Sequence, residues 1–141
     1  MITAKKASFN FTGFKVLDSH FKFNDNIRSE FGINFDAKGK HYAKTNIFKL
    51  FLKVQVLQEP EKLIFIELDT ESTFVIQAEL SELEELMKFF VKNAPAIVFP
   101  YIRAYVSTLT TQSGNRPIIL PTLNLIGLSE GLSKNIERIE E

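Results

Sequence analysis

The sequence predicts an α+β protein, and three observations predict it. Apolar residues alternate with a period of two through most of the first 76 residues, helical spacing takes over afterwards, and the two regimes do not interleave. The 141 residues suit one domain. A hydrophobic share of 45% argues against global disorder. Fourteen Phe, three Tyr and no Trp concentrate the apolar area in rings without a polar handle, which fits a core or a permissive apolar groove.

The first strand is expected over residues 7–23. Leu17, Ser19, Phe21 and Phe23 share one side, and Val16, Asp18, His20 and Lys22 the other. Phe9 and Phe11 are in phase with the first set but Phe14 is not, so a β-bulge near Gly13 is expected. Phe31, Ile33 and Phe35 mark a second strand, with Lys38-Gly39-Lys40 as the turn after it. Phe48, Leu50, Leu52, Val54 and Val56 form the clearest apolar face, opposite Lys49, Phe51, Lys53 and Gln55. After Glu59-Pro60 a fourth strand sets Ile64, Ile66 and Leu68 against Leu63, Phe65, Glu67 and Asp69, and the last two strands make a hairpin.

Ser81 and Glu84 match a capping box, and Leu83, Leu86, Met87, Phe90 and Val91 recur at helical spacing. Asn93-Ala-Pro95 is expected to end that helix. A second then runs from Ile97 to Thr111, polar only along Arg103, Ser107, Thr110 and Thr111, and Gly114-Asn115 stops it. Arg116 to Leu125 is a proline-broken apolar loop. Residues 128–141 read as an amphipathic acidic helix or tail, so the expected division is 1–127 and 128–141.

The chemistry-bearing residues exclude more than they suggest. Seventeen basic and seventeen acidic residues leave no net charge to attract nucleic acid or an anionic membrane. The absence of cysteine removes thiolate nucleophiles, disulfides and cysteine metal sites, and fits a reducing compartment. No run is long and apolar enough for a transmembrane helix, and the N-terminus lacks a signal-peptide core, so a cytoplasmic protein is expected. His20 on a charged strand face and His41 in a turn form no evident pair. With no phosphate loop or catalytic motif, no cofactor and no enzyme activity are expected.

The stretch from Asn93 to Leu109, with Phe99-Pro100-Tyr101 and Arg103 at its centre, resembles the SecB family of protein-export chaperones. Gly114-Asn-Arg-Pro117 and Pro121-Thr-Leu-Asn124-Leu125 resemble that family's proline loop. Leu17-Asp18-Ser-His-Phe21 is similar to its first strand and Ile66-Glu67-Leu68 to its fourth. The resemblance implies a four-stranded antiparallel sheet with two helices on one face. It also implies a homotetramer built as a dimer of dimers, and a groove that holds unfolded preproteins for delivery to the SecA motor.

The groove candidates are Ile33, Phe35, Phe99, Tyr101, Ile102, Tyr105, Ile118, Ile119, Leu120, Leu123 and Leu125, each equally open to a plain core role. Asp18, Phe65 and Glu67 match positions through which the family docks SecA. Lys22 stands where a further acid belongs, and Arg116 replaces an aromatic before the loop proline. A SecB-like chaperone of a toxin–antitoxin system and a small-molecule-binding α+β domain are the alternatives.

Overall fold

The structure, a computed structural model, describes residues 1, 3, 9–22, 30–77 and 83–141. Strands β1 (Phe9–Phe21), β2 (Phe31–Tyr42), β3 (Ile47–Gln58) and β4 (Leu63–Ile76) come first. Helix α1 (Leu83–Gln112), a 3-10 turn (Ile126–Leu128), helix α2 (Ser129–Lys134) and strand β5 (Ile136–Ile139) follow. The sheet order is β1-β4-β3-β2-β5. The four expected strands pair antiparallel, but the sheet is five-stranded and mixed, because β5 joins β2 in parallel. Phe23 and the capping residue Ser81 lie outside the described residues.

The even-numbered residues of β3 and β4 form the floor of the core: Phe48 to Val56, and Ile66 to Ile76, are buried toward α1. Strand β1 reaches the same floor only through two bulges. The register slips at Thr12, beside Gly13 as the alternation predicts, and again at Leu17. Phe9, Phe11, Phe14, Val16, Ser19 and Phe21 thereby all pair with even residues of β4, while Leu17 is the extra residue and turns outward. A third slip makes Phe65 the extra residue of β4, since Val56 pairs with Ile66 and Leu57 with Ile64.

Lys38-Gly39-Lys40 is not a turn; β2 runs through it, and the reversal comes at residues 43–46, where Asn46 takes φ 52. Gly39 is a packing requirement, because a Cβ there would lie 2.6 Å from Cζ of the fully buried Phe48.

The break expected at Asn93-Ala-Pro95 is also absent. Helix α1 continues through Pro95 and Pro100 for 30 residues. Each interior proline costs about 3 kcal/mol. Fully burying a large apolar side chain stabilises by about 1.5–3 kcal/mol. Phe90, Val91, Ala94, Val98, Phe99, Ile102 and Val106 form one buried stripe that spans both prolines, so packing on the sheet outweighs the local preference. The second helix of the fold is therefore the short α2, whose Leu132 is fully buried. The C-terminal segment expected as a helix or tail holds the short helix α2, and its last part is a strand that the sequence did not suggest.

Candidate functional site

Helix α1 ends as its glycine predicts. Gly114 takes φ 86, its N–H donates to Thr111 O at 3.0 Å, and Asn115 N–H donates to Thr110 O at 3.0 Å. The chain then turns back along α1, and the polar stripe of the helix holds it there. Arg103 Nε donates to Leu120 O at 2.9 Å, and Ser107 Oγ donates to Ile118 O at 2.9 Å. Thr110 Oγ1 accepts from Ile118 N–H at 2.9 Å while donating to Val106 O at 3.0 Å. A loop with two prolines has few ways to satisfy its own backbone, and these side chains supply the partners. Pinned in this way, the segment turns Ile118, Leu120 and Leu125 into the core and leaves Ile119 67% exposed.

The eleven groove candidates consequently separate. Phe99, Ile102, Ile118, Leu120 and Leu125 are buried core residues. Ile33, Phe35, Tyr105 and Leu123 are half-buried against that core, and the Phe35 ring meets Phe99 at 5.7 Å. Tyr101 is 50% exposed, but it sits over β1, with its ring 4.9 Å from Phe11 and 5.8 Å from Phe14. Helical spacing places Tyr105 on that same flank, whereas Arg103 and Ser107 face the loop. The candidates thus divide between two flanks of α1, with β1 under one and the proline loop along the other.

The second group of candidates faces the other way, on the side of the sheet remote from α1. Asp18 pairs across the strands with Asp69, and His20 with Glu67. Asp18 Oδ2 lies 3.2 Å from His20 Nε2, and Glu67 Oε1 accepts from Gln55 Nε2 at 3.1 Å. The same face carries Lys49, 3.4 Å from Glu71, and Lys40, 5.6 Å from the Phe51 ring. It is a mixed charged surface. Phe65 does not belong to it: the bulge turns this ring inward, leaving it 5% exposed and 5.8 Å from Phe31.

The two histidines lie on opposite faces of the sheet, His20 opposite Glu67 and His41 opposite Phe48. His20 is exposed, while His41, expected in a solvated turn, is a strand residue only 5% exposed whose Nε2 lies 3.4 Å from Asn46 Oδ1. Among the described residues no group of three or more His, Cys, Asp or Glu is placed to hold a metal ion. No helix among them is long and apolar enough to cross a membrane.

Sequence reasoning gave no contact role to Phe89, Ile126, Leu63 or Ile64 and set Ile64 on the apolar face of its strand, yet all four are exposed large apolar residues. For Phe89 a signal existed: adjacent residues on a helix point about 100° apart, so Phe89 and Phe90 cannot both lie on the centre of one buried stripe.

A family model, the preprotein translocase subunit SecB, matches residues 12–131, and the chain belongs to this family. An uncharacterized protein of Methanocaldococcus jannaschii, MJ0357, is 30% identical over 128 residues, covering 88% of this chain and 74% of that protein. The fold is shared with the SecB-like chaperone Rv1957 of Mycobacterium tuberculosis, solved in complex with a ChAD peptide from the antitoxin HigA1. The TM-score is 0.65 at 16% identity, over 82% of this chain and 88% of that one.

Proposed function

We propose that this protein is a cytoplasmic holding chaperone, which binds unfolded polypeptides on the apolar surface beside α1 and the proline loop. The observation that carries this reading is the outward Ile119 on a segment whose backbone is pinned by Arg103, Ser107 and Thr110. Those bonds do not require an apolar side chain at position 119. An isoleucine held in water on a fixed scaffold contributes little to folding, and with half-buried Leu123 and exposed Ile126 further along the same stretch it offers apolar area suited to burial against a partner. Family membership and the antitoxin peptide on the mycobacterial neighbour support a polypeptide as the occupant.

Handover of clients to SecA is the finer form of the reading and rests on Asp18 and Glu67. A toxin–antitoxin chaperone is the second reading. Lys53 opposite Asp69, the cross-strand neighbour of Asp18, and Lys49 beside Glu71 favour it, since the described residues of this face form no single-sign field to steer a basic motor segment.

The test uses a permanently unfolded client. The wild-type protein should bind it and suppress its aggregation without any added ligand. Ile119→Ser should weaken binding about fivefold, corresponding to roughly 1 kcal/mol for partial burial of the lost apolar area. No suppression by the wild type would remove the chaperone reading and leave a small-molecule-binding domain. Unchanged binding by a folded Ile119→Ser variant would move the client site elsewhere.

A further inference from the structure

Strand β5 is an odd member of this sheet. It covers only Gly39–Tyr42 of the twelve-residue β2, and it is the one parallel neighbour among the described strands. Its attachment is largely main-chain: Gly39 N–H donates to Asn135 O at 3.0 Å, and Ala43 N–H to Ile139 O at 2.8 Å. Glu137 and Arg138 are exposed, and Ile136 and Ile139 are half-buried. Gly39 presents no side chain at the junction; a Cβ there would approach Ile136 Cγ1 to 3.3 Å.

The side-chain positions of β5 are poorly used. Arg138 lines a cavity of ≈ 490 Å³ whose other walls include Leu83, Met87, Val91 and Ile136. Its guanidinium is drawn instead to Glu140, at 2.8 Å. An apolar side chain at that place would bury area that the arginine leaves unfilled. Strand addition works by this division of labour: main-chain bonds supply sequence-tolerant attachment, and alternate side chains enter pockets.

We propose that the β2 edge is a strand-addition site for extended segments of a client polypeptide, and that β5 is its resident, weakly bound occupant. A client segment with apolar residues two positions apart displaces β5. One of its side chains packs where Ile136 lies, and the next enters the cavity beside Leu83, Met87 and Val91. This inference rests on the chaperone reading and names a second contact surface for the same clients, apart from Ile119.

Amide hydrogen exchange on the full chain tests it, with and without a saturating, permanently unfolded client. Amides of residues 136–139 should lose protection when client is bound, while Gly39 and Ala43 keep theirs. Client binding that leaves β5 protected overturns the inference and leaves the chaperone reading standing; a wild type that binds no client removes both. Glu137→Pro, which removes an N–H in the middle of β5, supplies the equilibrium arm. It should bind client about tenfold more tightly than wild type, and an unchanged or weaker affinity counts against a competing strand.

Discussion

At the scale of single residues, two buried hydroxyls have opposite fates. Thr110 Oγ1 both donates and accepts, tying the proline loop to α1. Ser72 Oγ is buried among the core residues of β4 with no hydrogen-bond partner. A buried polar group stripped of its partner costs about 1–3 kcal/mol, so the two sites respond oppositely to loss of the hydroxyl. Thr110→Val should destabilise by about that amount, because the Ile118 N–H is left unpaired. Ser72→Ala should be neutral or stabilising. Urea unfolding of the two variants measures both, and a destabilised Ser72→Ala would mean that its hydroxyl has a partner. The polar stripe of α1 was legible as a stripe from Arg103, Ser107, Thr110 and Thr111, but its task was not. Which carbonyl each side chain meets depends on where a loop eleven to seventeen residues away returns.

Among elements, α1 shows the contest most clearly. Pro100 is exposed and interior to the helix, so it withholds a hydrogen bond from the Ala96 carbonyl without contributing burial of its own. Pro100→Ala should therefore stabilise the protein by about 1–3 kcal/mol, seen as a raised thermal midpoint. An unchanged or lowered midpoint would show that the proline shapes packing around Phe99 and Tyr101. The strands show a related contest between pattern and register. The alternation over β3 needs no correction, since Phe48 to Val56 are buried as a set. Along β1 and β4 the same rule misassigned Leu17 and Phe65, because each is the extra residue of a bulge. One extra residue reverses the side on which every later side chain falls.

For the whole molecule, the apolar surface left over bears on assembly. Phe9 and Phe89 meet at 5.5 Å at one end of the β1 flank of α1, and Tyr101 stands over Phe11 and Phe14 further along. Phe89 is 54% exposed, and Leu86 is only half-buried. A surface of this kind on a single chain fits burial against other copies. The expected assembly is a homotetramer, so light scattering at micromolar concentration should give four times the mass of one chain. A monomeric mass under those conditions would refute it.

By itself the sequence determined what depends on near neighbours. The period-two faces of β3, the slip beside Gly13, the helical stripe from Phe90 to Val106 and the stop at Gly114 all follow from side chains a few residues apart. The Phe99-Pro100-Tyr101 segment and the proline loop carried the family as well. Tertiary structure decided whatever turns on distant partners. It carried α1 across two prolines, placed Phe65 in the core, needed a glycine beside Phe48, and drew residues 136–139 onto the edge of β2. In each case a local preference worth a few kcal/mol competes with burial or main-chain pairing supplied by another part of the chain. The nearby residues cannot reveal which of the two is larger.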